Sequence, residues 1–193
     1  MSDLDRWKNA TKENAPDLII TGTKLDTENL YTSYYSDILK MQEKGNTILD
    51  FGCGVGRNSI ALLQKYKYVH CFDYPNMIGM LASTDIYDHY KDRIKLHTDW
   101  DKIKKYKFDA IFCCLVLQHI YEEDFMQYIK DFKEMTNLLY VCSRAYCDDH
   151  YKNVYTMLQK EWELHPDDAH RHEKITKFAD EDHYFIKMIP RRI

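Results

Sequence analysis

The sequence predicts an α/β fold in which short buried strands alternate with helices. Short apolar runs recur at residues 48–51, 68–72, 108–115 and 138–142. Segments with a helical spacing of apolar residues separate these runs, and three glycines at alternate positions follow the first run. This alternation is typical of a sheet covered by helices.

Length and charge limit the architecture and the partners. The chain has 193 residues, so we expect a single compact domain over residues 1–193. Its formal net charge of −4 predicts no general basic face for nucleic acid. No apolar run approaches the ~20 residues that cross a bilayer. The polar N-terminus lacks the features of a signal peptide, so we expect no membrane partner.

The cysteines indicate a reducing compartment. Most of the six fall in predicted strands or in the glycine turn, where buried free thiols are the expected state. The sequence therefore predicts a cytoplasmic protein. It contains no C-x-x-C pair, which excludes the usual zinc knuckle.

The first apolar run leads into a tight turn and then a helix from about Arg57. Gly52, Gly54 and Gly56 remove the Cβ atoms that would keep a ligand away from the backbone, and they permit positive φ. A helix beginning after such a turn directs unpaired N–H groups at a carboxylate or phosphate. The spacing is G-x-G-x-G and not the dinucleotide pattern G-x-G-x-x-G.

Together with Asp50, this stretch resembles the first motif of class I S-adenosylmethionine (SAM)-dependent methyltransferases. The pattern hydrophobic-hydrophobic-Asp-hydrophobic-Gly-x-Gly-x-Gly matches without a gap from Ile48 to Gly56. The resemblance implies a three-layer αβα sandwich whose mostly parallel seven-stranded sheet has an antiparallel last strand. It also implies a methyltransferase with SAM as cofactor and S-adenosylhomocysteine (SAH) as product. The alternative is a glycine-rich turn of another α/β protein. The motif assigns these cofactor contacts: Asp50, Gly52, Cys53, Gly54, Gly56 and Arg57.

A second acidic residue, Asp73, ends the second strand and lies 73 − 52 = 21 positions after the first glycine. A carboxylate there can accept hydrogen bonds from the ribose hydroxyls of a nucleotide. The stretch from Asp73 to Met77 is similar to the family's Asp-x-Ser/Pro-x-x-Met, which adds Tyr74 and Met77 to the expected contacts. The alternative role for Asp73 is a helix N-cap, because Pro75 suits a first helical turn.

Residues 93–97 are the predicted third strand, and the loop that follows them carries the expected adenine contacts. In the resembled family an acid in this loop accepts from the adenine 6-amino group. Asp99 matches that position, with Asp101 as a rival, and Trp100 could form an apolar wall for the ring.

The end of the fourth strand is expected to lie near the reacting groups. Phe108-Asp109 and the turn from Leu117 to Ile120 resemble the family's fourth motif. The resemblance places Cys114 against the cofactor and His119 near the methyl acceptor. His119 could act as a general base, contact adenine or the acceptor, or only hold the turn together.

The remaining segments are assigned in outline. Residues 1–45 are expected to form an N-terminal helical or lid segment, with Trp7 as a packing anchor or part of the lid. Residues 46–146 form the cofactor-binding core, with helices over 76–90 and 122–135. Residues 147–193 form a C-terminal helix, over 151–163, and a hairpin of 174–179 and 183–189.

The acceptor is the least constrained feature of the sequence. Motifs for base, pyrimidine or arginine methylation are missing, which favours a small-molecule acceptor; nucleic acid and protein acceptors stay open as alternatives. A non-catalytic or regulatory SAM-binding subunit, or an enzyme with another use of SAM, fits the same motifs. We interpret one polar cluster as a solvated loop and expect no metal site there: His165, Asp167, Asp168, His170 and His172.

Overall fold

A computed structural model describes residues 7–11, 38–144, 154–168, 176–178 and 181–191. The chain forms two compact units, Met1–Trp100 and Asp101–Ile193. His170 and His172 lie outside the described residues, as do most of the expected N-terminal segment and the residues after the fifth strand. In the described part, no helix is long and apolar enough to cross a membrane.

In its described residues, the first unit contains three parallel strands in the order β3-β2-β1. Their bounds are β1 Gly45–Phe51, β2 Tyr66–Phe72 and β3 Ile94–His97. Val69 and Cys71 are fully buried on one face of β2, while Tyr68, His70 and Phe72 on the other face are half-buried. This period of two is what a strand requires when helices cover one face closely.

Three short helices connect these strands: α1 Ser59–Leu62, α2 Pro75–Ala82 and α3 Asp85–Tyr90. The prediction of one continuous helix over 76–90 is wrong. The Thr84 hydroxyl accepts a hydrogen bond of 3.2 Å from the Tyr87 N–H and caps a new helix at that point. Thr84 is extended (φ −98°, ψ 152°), so the chain leaves the helical conformation before α3 begins.

The described part of the second unit contains five strands. Helix α4, Trp100–Ile103, begins at the last residue of the first unit. Strands β4 Ala110–Cys114 and β5 Leu139–Arg144 are parallel. Strand β8 Glu181–Pro190 is antiparallel to β5, β6 Trp162–Leu164 and β7 Thr176–Phe178. The expected C-terminal hairpin is therefore present as β7 and β8.

Helix α5, Glu122–Met135, has the bounds that its sequence pattern predicts. Phe125, Ile129, Phe132 and Met135 are buried along one face, and each contributes roughly 1.5–3 kcal/mol to folding. Its first turn is acidic, which complements the partial positive charge of a helix N-terminus.

The prediction of a helix over 151–163 is also wrong. Helix α6 is described over Val154–Leu158 and ends there, and β6 follows it. Trp162 is fully buried, and its indole N–H donates to the Ile129 carbonyl at 3.0 Å. This bond and pairing with β8 favour a strand over a continued helix.

Candidate cofactor-binding site

The glycine turn follows β1 at the carboxyl end of the strand. Gly52, Gly54 and Gly56 have φ values of 71°, 56° and 83°, a region that L side chains rarely adopt. The Gly52 N–H donates to the Phe72 carbonyl at 2.8 Å, which anchors the start of the turn to β2. The expected positive φ is therefore found at all three glycines.

The last two glycines meet different surroundings. A Cβ on Gly56 would lie 2.7 Å from Leu81 Cδ1, so this glycine allows α2 to approach the turn. A Cβ on Gly54 would meet only Met77 Cε, at an ordinary 3.8 Å. Gly54 therefore serves the backbone conformation, and packing does not require its lack of a side chain. Met77 is buried beside it.

Helix α1 begins at Ser59 and has four residues. Asn58 occupies its N-cap position without a side-chain capping bond, and the Arg57 side chain is half-buried. The expectation that a helix N-terminus binds an anion here therefore gains no support from this short element.

Asp73 holds the turn from the end of β2. Its Oδ2 accepts a hydrogen bond of 2.7 Å from the Gly54 N–H, and its Oδ1 accepts one of 2.7 Å from the Tyr74 N–H. Burial raises the pKa of Asp73 to about 6, although these two hydrogen bonds oppose the shift. The N-cap alternative is wrong, because Tyr74 occupies that position of α2.

Asp50 lies beneath the same turn and is only 2% exposed. The Ser59 hydroxyl donates to its Oδ2 at 2.6 Å. Burial raises the pKa of Asp50 to about 7, the Ser59 hydrogen bond lowers it, and the Asp73 charge adds to the increase. Cys53 is also buried there, and burial raises the pKa of its thiol well above the usual value. The turn thus rests on a carboxyl group with a raised pKa and on a protonated thiol.

An aromatic cluster follows β3. Trp100 packs edge-on against Phe51 at 5.4 Å and against Phe72 at 5.2 Å between ring centroids. Trp100 is half-buried and Asp99 beside it is exposed. The two residues expected to contact adenine are therefore placed at the carboxyl ends of β1 and β2, next to the turn.

A histidine pair lies beside this cluster and was not singled out from the sequence. His70 Nδ1 and His97 Nε2 are 2.9 Å apart across β2 and β3. Burial lowers the pKa of both imidazoles, that of His70 to about 4. At least one of the two rings must be neutral, since a hydrogen bond between them needs one acceptor nitrogen.

A short N-terminal piece packs on the turn. Ala10 lies in a buried cluster with Val55, Met77 and Met80, and Tyr74 packs against the cluster.

Asn76 holds this piece in place. Its Nδ2 donates to the carbonyls of Trp7, at 3.0 Å, and Ala10, at 2.9 Å. The Lys8 ammonium lies 5.7 Å from the centre of the Tyr74 ring. Asn76 appears in the sequence only as a variable position of the second motif, so no pattern identified it.

The second unit carries Cys114 and His119. Cys114 ends β4 and is half-buried, and Leu115 follows it with φ 58°. A leucine in this region stores strain of about 1 kcal/mol or more. His119 ends the 3₁₀ helix Leu117–His119, so the expected turn after β4 is present.

Most of the expected cofactor residues therefore gather around one turn. The first unit brings together Asp50, the three glycines, Cys53, Asp73, Tyr74 and Met77, with Trp100 nearby. Sequence reasoning missed Ser59 and Asn76, which hold the turn and the N-terminal piece.

In the described part of the polar C-terminal loop, the His165 N–H donates to the Lys187 carbonyl of β8 at 2.9 Å, and the His165 side chain contacts Asp167. His165 Nδ1 and Asp167 Oδ2 lie 3.5 Å apart, and the Asp167 N–H donates to the same nitrogen. Among the described residues, no group of three or more His, Cys, Asp or Glu side chains could hold a metal ion.

Comparison with known sequences identifies a family over the central part of the chain. The family described as "Methyltransferase domain" matches residues 48–138, which run from within β1 to the residue before β5. No curated protein sequence matches the chain.

Several solved structures share the fold. N-methyltransferase NodS from Bradyrhizobium japonicum WM9, in complex with SAH, has a TM-score of 0.64 at 17% identity, covering 98% of this chain and 97% of its own. Magnesium protoporphyrin IX methyltransferase (ChlM) from Synechocystis PCC 6803, with bound SAM, has a TM-score of 0.60 at 16% identity, covering 96% and 90%. TrmK from M. capricolum, in complex with SAH, has a TM-score of 0.62 at 14% identity, covering 83% and 69%.

These similarities confirm the predicted fold class, a mostly parallel α/β sheet with an antiparallel last strand. The family match identifies residues 48–138 as a methyltransferase domain, and for this segment the predicted family and enzyme class are confirmed. A methyltransferase domain of this kind implies SAM as the cofactor.

Proposed function

Because residues 48–138 form a class I SAM-dependent methyltransferase domain, we propose that this chain transfers a methyl group from SAM to a small-molecule acceptor. One observation carries the cofactor half of the proposal. The Asp73 carboxylate accepts the Gly54 N–H at 2.7 Å, in a turn where three glycines have positive φ. The turn is thereby preorganised at the carboxyl edge of the sheet, where such folds bind nucleotides.

We assign the cofactor to this edge of the first unit. Asp73 would accept from the ribose hydroxyls through the lone pairs left after its two backbone bonds. Asp99 and Trp100 would contact adenine. The remaining proposed contacts in this unit are Asp50, Gly52, Cys53, Gly54, Gly56, Arg57, Tyr74 and Met77. For Cys114 as a cofactor contact and His119 near the methyl acceptor, the proposal rests on the resemblance of their stretch to the family's fourth motif.

Bound SAM would supply an electrophilic methyl group on a sulfonium, a good leaving group. The protein then needs chiefly to position the acceptor in line and to exclude water. The strained Leu115 and the 3₁₀ helix that follows it fix where Cys114 and His119 lie relative to β4. A base is required only if the acceptor must lose a proton before it attacks.

The N-terminal segment is proposed to cover the bound cofactor. Asn76 holds the carbonyls of Trp7 and Ala10, and Ala10 packs on Val55 of the glycine turn. These contacts support the expected lid role of residues 1–45. The Trp7 contact is made by its backbone carbonyl, so the two roles expected for its indole, packing anchor and part of the lid, both stay predictions.

The proposal treats residues 1–193 as one functional domain in a reducing, cytoplasmic environment. The thiol state supports this location, because the five cysteines in the described part of the chain are free and four of them are buried. A net charge of −4 favours a small acceptor over nucleic acid.

Two measurements test the proposal. Calorimetry with SAH should show micromolar binding, about −8 kcal/mol. Gly54→Val should abolish binding, because a branched residue cannot adopt φ 56° and would project into the ligand space. Gly79→Val is the matched control, since a Cβ there has no neighbour within 4 Å. Lack of SAH binding by the unmutated chain would refute the assignment.

The acceptor class is tested with methyl-labelled SAM in a cell extract. Label in the low-mass fraction supports the small-molecule acceptor. Label in RNA, DNA or protein replaces it with a macromolecular acceptor. SAH binding without transfer to any fraction indicates a non-catalytic SAM-binding subunit.

A further inference from the structure

Three polar side chains near the end of β4 are linked in series by hydrogen bonds. The Ser143 hydroxyl on β5 donates to Gln118 Oε1 at 3.1 Å. Gln118 Nε2 lies 3.2 Å from His119 Nε2. The order Ser143–Gln118–His119 joins the buried interior of the second unit to the half-buried imidazole.

Both Gln118 and Ser143 are buried, so an end of the Gln118 amide without a hydrogen bond would destabilise the fold. Gln118 is 4% exposed and Ser143 is 1% exposed. A buried amide must satisfy both of its ends, and leaving one without a partner is costly. Here the oxygen faces the serine hydroxyl and the nitrogen faces the imidazole.

The backbone holds the donor and acceptor in place. The Leu115 N–H donates to the Cys142 carbonyl at 2.9 Å, which ties the strained residue to β5 one position before Ser143. The His119 N–H donates to the Val116 carbonyl at 2.9 Å and closes the 3₁₀ turn. These backbone hydrogen bonds therefore hold the segments that carry Ser143, Gln118 and His119.

The chemistry of the pair determines the state of the imidazole. An amide nitrogen has two N–H donors and no acceptor, so His119 Nε2 can meet it only as an acceptor. A neutral imidazole with an unprotonated Nε2 carries its proton on Nδ1. We propose that Gln118, oriented by Ser143, is a positioning residue that keeps His119 neutral with the proton on Nδ1, so that His119 serves as a hydrogen-bond donor.

This inference rests on the proposed function for what His119 contacts. In a methyltransferase site, Nδ1–H would donate to an oxygen or nitrogen lone pair of the acceptor and orient it without proton transfer. The Nε2 lone pair, which a general base would use, is engaged by Gln118. Of the roles expected for His119, acceptor contact is thus favoured over base.

Nitrogen-15 NMR of the imidazole side chains tests the inference without cofactor or acceptor. The chain has nine histidines, and a His119→Gln variant assigns the signal by its absence. In the unmutated protein, Nδ1 should show the shift of a protonated ring nitrogen and Nε2 that of an unprotonated, hydrogen-bonded one. A proton on Nε2 would overturn the inference.

Substitutions of Gln118 and Ser143 should change the nitrogen-15 shifts of His119 in defined directions. Gln118→Glu places an acceptor beside Nε2 and should transfer the proton to that nitrogen. Ser143→Ala releases the amide and should give a mixture of the two tautomers, which Ser143→Thr should restore to one. Gln127→Met on α5, whose exposed amide donates to Asp131, is the control and should change nothing.

The result is separable from the proposed function. If Gln118→Met leaves both nitrogen shifts unchanged, Gln118 does not position His119, whatever the chain does with SAM. If the tautomer is as expected but no methyl transfer occurs, the proposed function fails and the positioning role stands. If Gln118 variants do not fold, the unmutated spectrum and the Ser143 pair still decide.

Discussion

Asp73 allows the turn and the ribose contact to be separated by experiment. The structure uses each carboxylate oxygen once, for the Gly54 and Tyr74 N–H groups at 2.7 Å. Asp73→Ala removes both acceptors and should loosen the turn for every ligand. It should remove the diol contact only for ligands that carry ribose hydroxyls. The comparison therefore needs two ligands, SAH and its 2′,3′-dideoxy analogue.

The size of the diol effect follows from the charge on the acceptor. A hydrogen bond to a charged group contributes about 1.5–3 kcal/mol, so the unmutated protein should prefer SAH over the dideoxy analogue roughly 10- to 150-fold. The measurement belongs at about pH 8, because the pKa of Asp73 is raised to about 6 and the carboxylate must be ionised. In Asp73→Ala the preference should vanish while both affinities fall.

Calorimetry with the two ligands completes a thermodynamic cycle. Asp88→Ala is the control, because Asp88 is an exposed carboxylate on α3. It should keep both the affinity and the preference. If Asp73→Ala retains the preference for SAH, the carboxylate shapes the turn without contacting the diol.

Three further perturbations follow from the same geometry. Gly56→Ala should lower the melting temperature, because its Cβ would lie 2.7 Å from Leu81, whereas Gly54→Ala should mainly weaken SAH binding. The pKa of Asp50 is about 7 in the folded state and 3.8 ordinarily, so the folded state keeps this proton to a higher pH than the unfolded state does. The free energy of unfolding should therefore fall between about pH 4 and pH 7, by roughly 4 kcal/mol at most, and stay constant above pH 7. Asp50→Asn should reduce this dependence of the melting temperature on pH. Asn76→Ala should increase protease cleavage near residues 7–11 and raise the SAH dissociation rate, and unchanged cleavage would contradict the clamp.

Strands with strong local patterns were predictable from the sequence, whereas elements set by distant contacts were not. Residues 48–51 form a continuous apolar run, and α5 has apolar residues at helical spacing. Both patterns indicate burial directly, and both elements occur where expected. Strand β6 has three residues, and it depends on pairing with β8 and on the Trp162 bond to Ile129, 33 residues away. No local pattern carries that information. The Thr84 break was visible in principle as an N-cap, but the apolar residues around it favoured one helix.

The cofactor site was predictable because its requirements fall on consecutive positions. Backbone approach demands Gly52, Gly54 and Gly56, and diol recognition demands an acid at the end of the next strand. The residues that hold this site in place could not be predicted in the same way. Ser59 meets Asp50 from nine positions away and Asn76 meets Trp7 from 69 positions away, so only folding reveals either contact.

The acceptor half is harder to read for a chemical reason. Transfer from a sulfonium needs alignment more than acid–base catalysis, so no fixed set of side chains is required after β4 and β5. Selection can then act on whatever orients one particular acceptor, and that orientation is set by side chains brought together from separate strands. Gln118 and Ser143 are 25 positions apart and meet only in the fold. If Gln118 and Ser143 place the His119 proton on Nδ1, the substrate atom that contacts it must carry a lone pair and not a proton. This requirement constrains the acceptor further than any sequence motif does.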